Sequence, residues 1–452
     1  MTEHFNLTAN EAAKRIKNRD LSPVELVESL LSQYDALEPG LSAWVYLDRE
    51  AVLADAQQKQ EELEKGGSIG PLHGVPIGLK DIYYTAGIPT TACSKVFEGF
   101  VPEYDATTVA LLKGAGAIMM GKTVTTEFAC MDPSPTKNPW NPAHTPGGSS
   151  SGSAVAVATR MCPAALGSQT VGSVLRPASY NGVVGFKPTF GRVSRYGVIP
   201  VSWSLDHVGW MARSVQDIAL LMQVMSVPDP QEPITARQPS DDFMTGLESP
   251  AAPRIGLIRR FFYDNSDEET RQHTDGVVEQ LSRAGASVEE IPLPDSIDTA
   301  IADQRIIMAV EAAAFHQPMY ERQSQDYQPM LREMLRRGLE TDGQTYSRAL
   351  ERRQQFTAEM KALAEKADVL LTPSTPTPAL ADITNTGNTM FQGPWTSCGL
   401  PVITIPSGLA ASGLPFGIQL AAAPFSEPKL LAAARWCENV LDVELSPPVN
   451  QN

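Results

Sequence analysis

The stretch Gly147-Gly148-Ser149-Ser150-Ser151-Gly152-Ser153, followed by an alanine-rich apolar segment and then by Gly167-Ser168-Gln169-Thr170-Val171-Gly172-Ser173-Val174-Leu175-Arg176-Pro177, decides how the rest of the chain is read. Two glycine-rich, serine-bearing turns are joined by what reads as a buried helix and a short strand. Glycine lets the backbone take positive φ and approach a ligand closely, so successive main-chain N–H groups can converge on one developing negative charge. Thr170 to Ser173 have the composition of such a donor cluster around a serine nucleophile, which is what acyl transfer needs. Gly/Ser-rich runs also serve as flexible linkers. The apolar segment between these two weighs against that reading.

Outward from this stretch, 452 residues leave room for up to roughly three domains on length alone. A hydrophobic content of 42% with 19% charged residues is globular and ample for a core. The net charge of −16 argues against a nucleic-acid or anionic-membrane surface. Cys93, Cys130, Cys162, Cys398 and Cys437 are odd in number and scattered, and read as free thiols in a reducing compartment. The start of the chain lacks a basic-then-apolar pattern, and no uncharged apolar run of about 18 residues follows. The expectation is a soluble, cytoplasmic protein that binds neither nucleic acid nor membrane.

The first sixty-five residues read as helical, with Ser22-Pro23-Val24-Glu25 as a capping box. Gly74 to Asp81 reads as a strand that ends in Lys80; such a lysine is ordinarily solvated, but its apolar predecessors leave room for an amine drawn inward. A helix from Thr107 to Lys113 and a buried strand from Ala117 to Met120 follow. There Gly116 to Thr123 spells the P-loop spacing, which is rejected because it follows a helix and has four apolar residues where the phosphate loop belongs. Gly148-Ser149-Ser150-Ser151-Gly152 spells the G-x-S-x-G elbow with Ser150 as nucleophile. It lacks the preceding apolar strand, and of the later histidines only His207, beside Asp206, lies near a candidate site loop.

Residues 228–253 are proline-rich and polar, a surface connection. A β-α-β unit follows, with strands at 254–258 and 287–292 around a helix at 268–284. Residues 296–366 have a charged helical pattern, read as solvated helix faces or, in part, as a cover over the active site. Strands at 368–371, 401–405 and 414–420 and a helix at 430–440 complete the chain. The expected fold is α/β, a single large domain over 1–452 with a mixed central β-sheet flanked by helices.

Lys80 at a strand end, the Gly147-Gly148-Ser149-Ser150 turn, and Gly172-Ser173 before Pro177 resemble the amidase signature family. So do Tyr104 to Thr107, Gly121 to Ala129, Gly182 to Thr189 and Ser204 to Gly209, which places the signature core at 71–215. The resemblance implies a Ser, cis-Ser, Lys triad in which Ser173 is the nucleophile, Ser149 the bridging serine after a cis bond from Gly148, and Lys80 the base. It implies an oxyanion hole made of the N–H groups of Thr170, Val171, Gly172 and Ser173. The chemistry agrees, since a serine needs an adjacent base and no histidine is placed to serve. A lysine serves only when neutral, which needs its pKa lowered by roughly three pH units, about 4 kcal/mol, within the reach of full burial. Gln169, Val171 and Leu175 depart from the family's aspartate, first glycine and arginine, with Arg176 one place later. The pattern suggests an ion pair replaced by a neutral arrangement, and positive φ at Val171 would be strained.

The expected activity is hydrolysis of a small-molecule carboxylic amide, with no metal or cofactor and with a homodimer as the candidate assembly. Cys130, Met131, Trp203 and Gln169 are the candidates for substrate contact. The alternatives are a glutamine-hydrolysing subunit of a tRNA-dependent amidotransferase, and a non-catalytic binding protein on the same scaffold.

Overall fold

The computed structural model describes residues 3–235, 238 and 241–451. Its centre is one mixed sheet of eleven strands. In chain order these are β1 (Trp44–Tyr46), β2 (Pro76–Lys80), β3 (Ile118–Thr123), β4 (Ala164–Gln169), β5 (Val184–Lys187), β6 (His207–Ala212), β7 (Arg254–Leu257), β8 (Ser287–Glu290), β9 (Val369–Pro373), β10 (Val402–Leu409) and β11 (Pro415–Ala421). They lie side by side as β1-β3-β2-β4-β6-β5-β10-β11-β9-β7-β8. β2 runs parallel to both β3 and β4, and β7 parallel to β8 and β9; the remaining pairings are antiparallel. This is the expected α/β single domain.

The central strands are buried along their whole length, as strands covered by helices on both faces must be. The helix Ser151–Ala158 shows why the segment between the two turns is so rich in small residues. All eight of its residues are buried, and a Cβ on Gly152 would sit 2.2 Å from the Ala43 carbonyl oxygen. The capping box forms at Ser22, with Pro23 opening the helix to Leu41.

The structure corrects the sequence reading in two places. The first sixty-five residues include β1, a three-residue strand too short to leave a periodic trace. Where described, the 228–253 connection is anchored as well as exposed: Phe243 and Leu247 are buried, and Asp229 accepts hydrogen bonds from Thr107 and Ser194. Positions 236, 237, 239 and 240 of that connection lie outside the described residues. Residues 296–366 form three α-helices, Ile297–Gln323, Pro329–Glu340 and Gly343–Ala364, with a 3-10 turn at Ser324–Asp326. Among the described residues no helix is long and apolar enough to cross a membrane.

Candidate active site

β2 and β4 run in the same direction, with Ile77 to Leu79 in register with Ala164 to Leu166. Lys80 and Ser168-Gln169 therefore emerge at one edge of the sheet, the end where open α/β sheets bind ligands. Antiparallel β6 brings its first residue, His207, opposite Gln169, and so carries Asp206 to the same edge. Lys80 is fully buried. Its Nζ donates to Ser149 Oγ at 2.7 Å and to Ser168 Oγ at 2.8 Å. Burial pushes the amine down from 10.5 to about 7, with the Asp206 carboxylate pulling the other way.

Ser149 follows a cis peptide bond from Gly148. Its turn is fastened to the second one. Arg176 Nη2 donates to the Gly148 carbonyl at 2.6 Å and Nη1 to the Gly387 carbonyl at 2.8 Å, and Asn181 Nδ2 donates to Pro146 O at 2.7 Å. Gly147 has φ of +78°, and a Cβ there would lie 2.9 Å from Pro177 Cα. No other residue fits where the two turns touch.

Ser150 N donates to the Ser173 carbonyl at 3.3 Å, which brings the second turn against the first. No hydrogen bond joins the Ser173 and Ser149 hydroxyls among the described residues. Relative exposure falls from 9% at Ser173 to 1% at Ser149 and 0% at Lys80, so Ser173 is the group of the three that solvent reaches.

The four carbonyls of the Thr170–Ser173 loop are each held by a donor. Gln304 Nε2 bonds Thr170 O at 3.2 Å, Thr396 Oγ1 bonds Val171 O at 2.7 Å, and the N–H groups of Arg176 and Ser150 take Gly172 O and Ser173 O at 3.1 and 3.3 Å. The N–H groups of Val171, Gly172 and Ser173 donate to no group among the described residues. A peptide whose oxygen is tied down has its N–H fixed in direction, so the loop presents donors in a set orientation, as an oxyanion site requires. Val171 has no left-handed φ; the strain expected there is absent because the loop turns without it.

Gln169, a candidate for substrate contact, does another job. Its Oε1 accepts from the N–H groups of Val174 and Leu175 at 2.9 and 3.0 Å, and its Nε2 donates to Thr396 Oγ1 at 2.9 Å. The amide is fully buried and spent on capping the helix Leu175–Asn181 and on the loop opposite. Leu175 packs with Phe262, Phe391 and Trp395. The neutral replacement of an acid and a base is therefore visible in both residues.

Trp203 lines a cavity of about 210 Å³ together with Ser168, Asp206 and His207. Cys130 is partly buried and close enough to Lys80 for the two to influence each other's ionisation; burial pushes its thiol up. Met131 packs against the main core, with no polar contact to the site. The two rejected motifs end as structural parts. Gly121-Lys122-Thr123 belong to β3, and Ser150 Oγ bonds the main chain of Ser168. His207 Nδ1 donates to Leu205 O at 2.6 Å, and burial holds the ring well below the usual histidine range.

Sequence reasoning gives no site role to Ser168, Gln304 or Thr396, and offers Asp206 only as the neighbour of His207. Ser168 shares the Lys80 amine, and the only hint was its place in the quoted stretch. Asp206 accepts from Thr170 Oγ1 at 2.6 Å and from the N–H groups of Val201 and Ser202 at 2.8 and 2.9 Å. Gln304 reaches the loop from a distant helix, which no local signal announces. Among the described residues no group of three or more His, Cys, Asp or Glu is placed to hold a metal ion.

The family described as Amidase matches residues 25–431, and the chain belongs to that family. It is 35% identical to the A subunit of the glutamyl-tRNA(Gln) amidotransferase of Geobacter sp. (strain M21), over 96% of each chain. Its fold superposes with a TM-score of 0.86 on the native peptide amidase from Stenotrophomonas maltophilia, at 30% identity over 98% of both chains. It reaches a TM-score of 0.90, also at 30% identity, with a chain of a vestigial protein complex described as revealing the origins of an s-triazine catabolic enzyme, covering 96% of this chain and 98% of that one.

Proposed function

We propose that the chain hydrolyses a carboxylic amide through an acyl-enzyme on Ser173, with Ser149 and Lys80 as the proton relay. The observation that carries this reading is the Lys80 amine: fully buried, in contact with Ser149 Oγ at 2.7 Å, and lowered to about 7. An amine in that state takes a proton near neutral pH, as a general base must. The proton of Ser173 passes to Ser149 Oγ while the proton of Ser149 passes to Nζ, and the Ser173 oxygen attacks the amide carbon. The tetrahedral oxygen faces the N–H groups of Thr170, Val171, Gly172 and Ser173. The relay then returns the proton to the leaving nitrogen, and water repeats the cycle on the ester. The Ser173 hydroxyl has no partner among the described residues; contacts of this kind tighten when substrate is bound.

Ser173→Ala and Lys80→Ala are each expected to abolish turnover with the fold intact by circular dichroism. A fluorophosphonate should label Ser173, as read by mass spectrometry, and a protein that takes no label and turns over no amide is the binding scaffold instead. The identity to amidotransferase A subunits favours a second reading, in which the same site releases ammonia from glutamine for a partner. That reading predicts glutaminase activity only when a second protein is added.

A further inference from the structure

Trp203, in the loop Ser202-Trp203-Ser204, lines the cavity of about 210 Å³ that also touches Ser168 and Asp206. Ser168 is bonded to Lys80, and Asp206 to Thr170 at the start of the donor loop, so the cavity adjoins both halves of the proposed machinery. Trp203 is 47% exposed, yet the backbone around it is pinned. Arg195 Nη1 bonds Trp203 O at 2.7 Å and Arg353 Nη2 bonds Ser204 O at 2.8 Å. The fully buried carboxylate of Glu311, on the helix Ile297–Gln323, accepts from both hydroxyls of Ser202 and Ser204, from Ser204 N at 3.0 Å and from Tyr346 OH at 2.8 Å. A large aromatic left half in solvent on an immobilised backbone is unnecessary for folding. It is what a recognition surface needs, because little entropy is then lost on binding.

The lining of the cavity fixes the chemistry it takes. Val198, Ile199, Val201 and Val208 are apolar. The charged groups are already satisfied: Arg195 pairs with Glu232 at 3.3 Å, and Asp206 accepts from three donors. His207 is held neutral by burial, and its Nε2 has no hydrogen-bond partner among the described residues. No charge is left over for a charged substituent. An apolar cavity of about 150 Å³ holds a benzene ring, so the volume here suits a phenyl-sized group with a short linker.

We infer that Trp203 is the specificity-determining wall for an uncharged, ring-sized apolar substituent beside the scissile amide, and that Glu311 is the positioning residue that sets this wall. The inference rests on the amidase reading above and adds the substrate class. It also gives residues 297–364 a role in substrate choice, through the helix that carries Glu311.

The test is a panel of acetamide, isobutyramide, phenylacetamide and glutamine, run with the wild type, Trp203→Ala, Glu311→Gln and the double variant. Phenylacetamide should exceed acetamide in kcat/KM by roughly tenfold or more in the wild type, and Trp203→Ala should cut that ratio by roughly tenfold. Glu311→Gln should raise KM for phenylacetamide more than it lowers kcat, and the double variant should lose no more selectivity than Trp203→Ala alone. A ratio untouched by Trp203→Ala, or a preference for glutamine over phenylacetamide, overturns the inference. Calorimetric binding of phenylacetamide to Ser173→Ala, weakened by adding Trp203→Ala, keeps the test independent of turnover; no binding to Ser173→Ala also overturns it. Labelling of Ser173 by a fluorophosphonate in every Trp203 and Glu311 variant separates a failure of this inference from a failure of the catalytic reading.

Discussion

Replacing Lys80 by methionine tests the physical core of the site without needing to know the substrate. A free lysine titrates near 10.4, and burial brings Lys80 to about 7 in the folded chain. Between those values the unfolded chain binds a proton that the folded chain does not, so stability must rise with pH across this window. Each pH unit between the two values corresponds to about 1.36 kcal/mol, so the penalty for Lys80 comes to about 4 kcal/mol at pH 7 and about 2 kcal/mol at pH 9. Below about pH 7 it is fully present, and above about pH 10 it is gone.

Methionine is close to lysine in length and cannot ionise. Lys80→Met strips a partner from the Ser149 and Ser168 hydroxyls, a cost that does not change with pH, and removes the penalty, which does. Lys122 and Lys187, which burial lowers to about 8 and about 7, stay in both proteins and cancel. The stability of the wild type relative to the variant, from urea denaturation followed by tryptophan fluorescence, is therefore expected to improve by about 2 kcal/mol from pH 7 to pH 9. At pH 7 the variant should be at least as stable as the wild type, because the penalty of about 4 kcal/mol that it removes exceeds the loss of two hydrogen bonds at about 1 kcal/mol each. A difference that stays flat between pH 7 and pH 9 would falsify the argument, since it would mean the amine ionises in the fold as it does in water.

The acid limb of kcat/KM should rise with pH through an apparent value near 7, because only neutral Lys80 accepts a proton; a limb near 10 refutes the assignment. Gln169→Asp keeps an acceptor for the N–H groups of Val174 and Leu175 but loses the donation to Thr396 and buries a charge beside apolar Leu175. It should lose about 3–5 kcal/mol of stability in urea, the cost of an uncompensated buried charge, and a loss under about 1 kcal/mol would show that the pocket tolerates the acid. Arg176→Met releases the Gly148 carbonyl and the Gly387 carbonyl, so kcat should fall on the order of tenfold to a hundredfold through misplacement of the Ser149 turn. Unchanged kcat would show that the turn holds its place without the clamp.

Much of this site is legible in the sequence because its chemistry is written in runs of neighbouring residues. Lys80 ends a strand, and Ser149 and Ser173 each follow a glycine at which a Cβ would lie 2.8 Å from a side chain, that of Thr386 or of Gln392, so the family resemblance has short local motifs to rest on. What the sequence hides is whatever depends on pairing between distant segments. That Ser168 meets Lys80 follows from β2 and β4 lying side by side in parallel register, and neither strand carries a sign of its partner. Gln304 lies 134 residues from the Thr170 carbonyl it holds, in a helix whose polar face reads like any solvated one. β1 is three residues long and contributes a sheet edge without a period.

The two departures around Ser173 show how local reading and tertiary structure meet. An aspartate at position 169 would need a cation within the core, and an arginine at 175 would be that cation's natural source. With glutamine and leucine there, Gln169 supplies an acceptor to the N–H groups of Val174 and Leu175 and a donor to Thr396, while Leu175 joins the cluster around Phe262 and Trp395. Thr396 in turn bonds the Val171 carbonyl, so one uncharged chain runs from the helix cap to the donor loop. Changing either residue alone would bury an unpaired charge; the pair has to change together, and a double variant that installs both should recover the stability that each single change loses.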